Sequence, residues 1–394
     1  MTAEGLMFKL LLPLALGTFA VGTDGFVIAG LLPQISADLG VGVSAAGQLI
    51  TVFALAFAVS APILGAMTSS MDLRTVLLLA LATFVVGNAG TAIGTTYGMV
   101  VGARIVTAVG AGLIGAAAFS AAAAIAPEER RGRALAFVMG GLTLAIAFGL
   151  PAGTLIGGAD WRLTLWAVAG LGVVAAVGIA ISLPRISLPV DSLRARLAPL
   201  RETWVFEMLI VTVMTLAGTH VLYTYISSAL EGATAGSVGV LTVILLAWGV
   251  GNMIGNIAAG RLADRYPPQW VVAGGLAAAA VVLAISPLVI GTFVTATIWV
   301  VLWGVCVSLP VVPQQSRLVT HAPSASAVLL GLNSSSIYVG IALGGALGGL
   351  LQERVTPDRL GLVAAGVSVV ALLLNLGTIR HATSGAPSVS RAAG

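Results

Sequence analysis

The sequence predicts an all-α membrane protein: twelve transmembrane helices arranged as two pseudo-symmetric six-helix bundles, with both termini cytoplasmic. Three observations carry this. Of 394 residues, 58% are apolar and 8% charged, against about 25% charged in soluble domains. The apolar residues form long unbroken runs instead of the alternation of an outer-membrane barrel. The basic residues also fall almost entirely on one side of those runs.

A helix needs about 20 apolar residues to cross the hydrocarbon core. Charge and turn punctuation divide the chain into twelve such segments: Phe8–Leu32, Ala45–Thr68, Thr75–Ile93, Tyr97–Ala124, Ala134–Gly157, Leu163–Leu183, Trp204–Leu230, Val238–Leu262, Val271–Ile290, Thr292–Val312, Ala327–Leu351 and Leu360–Thr378. The first reads as a retained helix, since no small-residue cleavage site follows it. With the N-terminus inside, fourteen of the 18 basic residues fall in inner loops and tails, Arg317 among them. Arg162, Arg354 and Arg359 fall outside, and Arg104 lies within a segment. That asymmetry is the positive-inside pattern and supports the count. It also accounts for the net charge of +4 without a nucleic-acid partner, because the Arg are scattered singly.

The longest polar connection, residues 184–203, separates an N-terminal bundle (1–183) from a C-terminal bundle (204–380), with a polar cytoplasmic tail at 381–394. The halves match at an offset of 195: Ala147, Gly149 and Gly153 align with Ala342, Gly344 and Gly348, and Gly65 with Gly260. A parallel repeat places a substrate site between the halves near the midplane, reached by rocking.

Two charges lie deep inside segments, Asp24 and Arg104. Each costs at least about 2.5–3.5 kcal/mol in hydrocarbon, which marks it as functional. Both fall at the same depth, so they form an ion pair or meet through water in a central cavity. A guanidinium favours the ionised carboxylate and burial favours the neutral one, so a change in access switches a proton on or off. Gly141, Ala145, Gly149, Gly153 and Gly157 recur every fourth residue around Pro151, and Gly340, Gly344 and Gly348 repeat the stripe in the second half. Small residues at this spacing let helices approach closely; they are expected to form a gating seam sliding between the halves. Gly260, Asp264 and Arg265 end the eighth segment as a short charged turn suited to a cytoplasmic latch. Asn88, His220, Tyr223, Asn252, Asn256, Asn333 and Tyr338 are the polar candidates for substrate contact. His220 is also a candidate second proton site, and Trp248, Trp299 and Trp303 are candidates to line a pocket. One cysteine and three dispersed histidines give no metal site,. No nucleophile elbow, phosphate loop or paired catalytic carboxylates appear, so no enzyme activity and no cofactor are expected.

The motif Thr23-Asp24-Gly-Phe-Val-Ile-Ala-Gly-Leu-Leu-Pro33, the run Arg104-Ile-Val-Thr-Ala-Val-Gly110-Ala-Gly112, and Gly149-Leu-Pro151-Ala-Gly153 followed by Trp161-Arg162 resemble the major facilitator superfamily. The likeness is to its 12-helix drug:proton antiporter branch of arabinose-efflux-like and chloramphenicol-resistance-like permeases, over roughly residues 10–380. The resemblance implies a proton-coupled exporter of a small organic molecule in the plasma or inner membrane, with protons, substrate and lipid as partners and a monomeric state. It links Arg104 to proton transfer and the Gly149–Gly153 run to the antiporter motif. The loop after the second segment departs from the family's Gly-x-x-x-Asp-Arg, reading Gly65-Ala-Met-Thr-Ser69-Ser70-Met-Asp72-Leu-Arg74. That shifts any first-half latch to Asp72 and Arg74. A sugar or nucleoside symporter is the alternative, and a non-transporting membrane sensor a third reading.

Overall fold

The computed structural model describes residues 3–187, 193–322, 325–352 and 354–384; most of the predicted tail, from 385 onward, lies outside the described residues. In hydrocarbon every backbone N–H and C=O must be satisfied within the chain, which leaves helices as the means of spanning. The principal helices are α1 (Ala3–Leu39), α2 (Val43–Met67), α3 (Leu73–Ile93), α4 (Tyr97–Ile125), α5 (Glu128–Ile156) and α6 (Trp161–Ser182) in the first half. The second half holds α7 (Thr203–Tyr223), α8 (Val238–Ala263), α9 (Pro268–Ala284), α10 (Phe293–His321), α11 (Ser326–Leu351) and α12 (Leu360–Ser384). Among the described residues, eleven helices are long and apolar enough to cross a membrane; α9 is a shorter apolar helix of 17 residues. A further turn, Ser286–Val289, follows α9 directly. Polar side chains start several helices at the ends of the bundle. Asp72, Thr96, Asp160 and Ser237 each accept a backbone N–H of the first turn, filling donors that a helix N-terminus leaves open.

Three local departures from regular helix matter. In α5 the backbone widens to a π turn over Ala145–Gly149, directly before Pro151. Proline has no N–H and crowds the carbonyl four residues back, and the wider turn absorbs that mismatch as a bulge instead of a sharp break. α7 ends at Tyr223 and restarts as Ile226–Ala229. α10 is interrupted between Ser308 and Val311, at Pro310, and then continues to His321.

That continuation corrects the sequence reading at one residue. Arg317, expected in an inner loop, is 6% exposed inside α10. Its Nη1 donates to Gln314 Oε1 at 3.0 Å and to Asn375 Oδ1 at 2.7 Å, and its Nη2 to Thr378 Oγ1 at 2.8 Å. Asn375 in turn donates to Gln269 O, and Gln314 to Met208 O. The cation is held by neutral dipoles drawn from α7, α9, α10 and α12.

The small-residue stripes pack differently from the expected sliding seam. A Cβ on Gly141 would lie 2.2 Å from Ala15 O; on Gly149, 2.1 Å from Thr23 Oγ1; on Gly153 and Gly157, 2.6 Å from Val27 and Leu31 side chains. All four partners are on α1, so the α5 stripe is an internal joint of the first half. Gly340, Gly344 and Gly348 press on α7 in the same way, against the backbone oxygens of Val213, Ala217 and Val221 at 2.4–2.5 Å. Packing across the halves uses other positions: Gly345 meets Thr51, and Gly349 meets Gln48 and Ser44, on α2, while Ile146 and Ala147 of α5 meet Gly249 of α8. Periodicity finds a close-packing stripe but does not say which helix fills it.

The apolar cores are arranged to match. One cluster runs through α1–α6 at the end carrying the termini, with Leu11, Leu14, Leu77, Ala122 and Val138. A small one lies under Val205, Met208, Leu318 and Leu329 at the same end of the second half. The largest cluster joins both halves, through Leu31, Leu32, Ile35, Leu49, Trp161, Tyr225, Leu241 and Ile290, toward the opposite, distal end. The halves thus share their main core at the distal end.

Gly141→Ala places a methyl against a backbone oxygen that cannot turn away and is expected to destabilise the chain by about 1–3 kcal/mol. Gly140→Ala, where nothing lies within 4 Å, is expected to be neutral or to add up to about 1 kcal/mol through helix propensity. Thermal unfolding of the detergent-solubilised variants checks both.

Candidate functional site

The close approach of α3 and α4, with Gly87 and Gly110 against the facing backbone, and of α1 and α5 encloses the first half. Inside it, Arg104 Nη1 donates to Asp24 Oδ1 at 2.7 Å, and both side chains are fully buried. The pairing is direct, as one of the two sequence readings had it. The guanidinium carbon lies 4.4 Å over the Phe53 ring, which adds a cation–π contact. The pair is incompletely satisfied: Asp24 Oδ2, Arg104 Nε and Arg104 Nη2 have no hydrogen-bond partner, nor do the buried Thr23 Oγ1 and Asn88 Oδ1. Asn88 spends its amide on Phe84 O. A buried polar group left open costs about 1–3 kcal/mol, so this region holds bonding capacity that its own side chains do not fill.

Tyr338 of α11 reaches this region from the other half. Its ring stacks on Phe57 at 3.5 Å and 18° and lies 6.4 Å from Phe53, the ring that carries Arg104. Phe53 and Phe57 are spaced i, i+4 on α2, one turn apart on one face.

His220 and Tyr223 lie in a second group. Phe26 of α1, Tyr223 of α7, Trp248 of α8 and Trp303 of α10 sit with ring centroids 4.6–6.5 Å from their neighbours. Trp299 stacks on Trp303 at 5.2 Å, and His220 lies 5.4 Å from Tyr223. His220 Nδ1 bonds Leu216 O, Tyr223 Oη donates to Phe26 O at 3.3 Å, and Trp299 Nε1 donates to Val282 O at 2.7 Å. Trp248 Nε1 and Trp303 Nε1 are buried without an acceptor.

The remaining polar candidates are spread out. Asn252 and Asn256 bond each other at 3.4 Å along α8. Asn333 accepts from Thr212 at 2.9 Å, beside a cavity of about 10 Å³ bordered by Thr215 and Gln314, the volume of one water. Asp72 accepts from Thr75 N and Oγ1 at 3.0 and 2.7 Å, which holds its carboxyl below the usual carboxylate range. Arg74 donates to Ala180 O on α6; both ties stay within the first half. Asp264 and Arg265 are exposed, with no ion pair among the described residues, and Gly260 faces open space.

At the distal end a clamp absent from the sequence reading joins the halves. Tyr225, at the α7 break, donates to Gly345 O of its own half at 3.0 Å and receives Gln48 Nε2 from α2 at 3.3 Å; Ser44 of α2 donates to Gly349 O at 2.9 Å. A Cβ on Gly47 would lie 2.3 Å from the Tyr225 ring, and one on Gly348 2.8 Å from it. The glycines that admit this ring were the available signal. Nearby, Arg162 binds Asp38 at 2.5 Å, bonds Gly94 O and lies over Trp161, tying the distal ends of α1, α3 and α6 together.

Comparison with known proteins places this arrangement. The sequence profile described as Major Facilitator Superfamily matches residues 14–329 and 208–392. The chain is 33% identical over 367 residues to the inner membrane transport protein YdhP of Escherichia coli, covering 92% of this chain and 94% of that one. It is 34% identical over 269 residues to a chloramphenicol resistance protein of Streptomyces lividans, covering 66% of this chain and 68% of that one. The fold matches the xylose transporter XylE from E. coli, in a partially occluded inward open conformation, with a TM-score of 0.74 at 14% identity over 95% and 98% of the two chains.

Removing one partner of a buried ion pair strands the other, so Arg104→Ala is expected to destabilise the chain by about 3–5 kcal/mol. Asp24→Asn combined with Arg104→Gln is expected to lose less than the sum of the single changes, as a double-mutant cycle of thermal unfolding measures. At the chain's loop after α2, Asp72→Ala removes a helix cap worth about 1 kcal/mol at neutral pH. Because the folded chain holds Asp72 below its unfolded value of about 3.9, the cap is at full strength above that pH and is lost as pH falls through the lower folded value. The difference between the variant and the unaltered chain is therefore expected to shrink on acidification below about pH 4.

Proposed function

Since the chain belongs to the Major Facilitator Superfamily, and so is a multi-pass membrane transport protein and not an enzyme, we propose that it exports a small organic compound in exchange for protons. The observation that carries this is the Asp24–Arg104 pair: a carboxylate buried at membrane depth, matched to a single guanidinium by a single hydrogen bond, with one oxygen left free. A proton taken up at that oxygen neutralises Asp24 and weakens its hold on Arg104; loss of the proton restores the pair. Tyr338 brings the second half against the ring that carries Arg104, so a change in the pair is felt across the two halves. The chloramphenicol resistance protein among the relatives favours export over uptake.

The proposed cycle uses two bundles, 1–183 and 204–380, joined by the linker 184–203, with α9 and its extension as the twelfth span and both termini in the cytoplasm. In this orientation the distal end is the outer face, and the clamp of Ser44 and Gln48 on α2 against Gly349 and Tyr225 of the second half closes it. The state is then inward-facing, which fits the exposure of Asp264 and Arg265. When the outer clamp opens, Gly260, Asp264 and Arg265, with Asp72 and Arg74, are proposed to latch the inner face.

Reconstituted vesicles test the reading. With labelled chloramphenicol as first probe, an acidic lumen is expected to drive the compound inward, and Asp24→Asn, compared at equal amounts of folded protein in the vesicles, is expected to abolish this uphill movement. Outward movement with the protons identifies a symporter instead, and full uphill transport by Asp24→Asn removes the carboxylate from the mechanism.

A further inference from the structure

Trp248 and Trp303 hold two buried donors that the described residues do not fill. These two rings lie 5.8 Å apart, on α8 and α10, and are 2% and 0% exposed. Each carries an indole N–H with no acceptor within reach. The third tryptophan of the group, Trp299, satisfies its own N–H on Val282 O, and Tyr223 satisfies its hydroxyl on Phe26 O. So the group is able to place carbonyls where they are needed, yet leaves two adjacent donors empty. A buried tryptophan ordinarily finds a partner for its N–H. Packing alone calls for a ring, and phenylalanine supplies one without an orphaned donor.

We propose that Phe26, Tyr223, Trp248 and Trp303 form the substrate cage, and that it takes a flat aromatic compound carrying a neutral hydrogen-bond acceptor such as a carbonyl or nitro group. The faces stack on the ligand ring, and the two indole N–H groups receive its acceptor. Three of the four rings come from the second half, and Phe26 comes from α1, two residues beyond Asp24. The ring that completes the cage is therefore on the helix that carries the carboxylate, and Tyr223 bonds that same residue's carbonyl across the halves. In this state the rings fill one another's contact distance, so the ligand enters by parting Phe26 from the second half. Among these four residues none is cationic, which disfavours an anionic ligand. A sugar's puckered saturated ring fills the space between aromatic faces less well than a flat one.

This assignment rests on the export reading for its setting, but its test does not involve direction or protons. Isothermal titration of the purified full chain in detergent uses chloramphenicol and 4-nitroacetanilide, each an aromatic ring with nitro and amide acceptors, against cyclohexanecarboxamide and D-xylose. The aromatic probes are expected to bind saturably, and the two controls to show no binding. Trp248→Phe and Trp303→Phe keep the ring and delete the donor; each is expected to weaken aromatic binding about five- to tenfold, the worth of one hydrogen bond. Their melting temperatures without ligand are expected to change little, since removal of an unfilled donor offsets part of the packing lost with the smaller ring. Equal affinity in the unaltered chain and both variants overturns the proposal, as does binding of D-xylose or cyclohexanecarboxamide in place of the aromatic probes. Aromatic binding without proton-driven movement in vesicles keeps the cage and removes the export reading; proton-driven export without aromatic binding does the reverse.

Discussion

One buried ion pair sets the terms for the first half of the molecule. A carboxylate and a guanidinium this far from water must find each other, and Asp24 and Arg104 do so at 2.7 Å with no exposure. Their attraction in a low-dielectric interior is large, but so is the cost of removing both from water, and the geometry is not optimised to recover it. Arg104 presents one nitrogen where a fork would present two. A pair built for stability alone would be bidentate and fully bonded. This one retains open valences, as do Thr23, next to Asp24 in the chain, and Asn88 of α3.

The second half solves the same problem differently. Arg317 is also buried, yet it has three neutral oxygens as partners and no carboxylate among them. No proton can discharge that arrangement from the acceptor side, because amides and hydroxyls do not ionise in the working range. A proton on Asp24 changes the charge of its pair, whereas the three partners of Arg317 include no group that takes one up. The aromatic residues sit on the boundary: Phe53 and Phe57 from α2, Tyr338 from α11, and Phe26 from α1 against Tyr223 and Trp248.

Much of this was legible in the residues. Apolar run length and charge punctuation predict twelve spans, of which eleven described helices have the length and α9 is shorter; the depth of Asp24 and Arg104 follows from counting along their helices. The stripes of glycine were found by period, but their partners were not, because a four-residue spacing specifies a face and says nothing about which helix meets it. Polar Gln314, Gln315 and Ser316 make Arg317 look like a loop residue, whereas α10 continues because Gln314 and Arg317 bond inward. Tyr225 escaped notice because its significance depends on Gly47 and Gly348, which are far away in sequence and become neighbours only in three dimensions. The bare donors of Trp248 and Trp303 have no sequence signature at all.

The glycine joints also have a kinematic meaning. With α11 pressed to α7 at backbone contact over three glycines, and α5 to α1 at Gly141, shear between those helices is obstructed by main-chain atoms. Between the halves the contact at Tyr225 is a single hydrogen bond, but Gly249 of α8 also meets the backbone of Ala147 on α5, and the largest apolar cluster is shared. The cost of parting the halves at the distal end is therefore set by that common apolar core and not by its few hydrogen bonds.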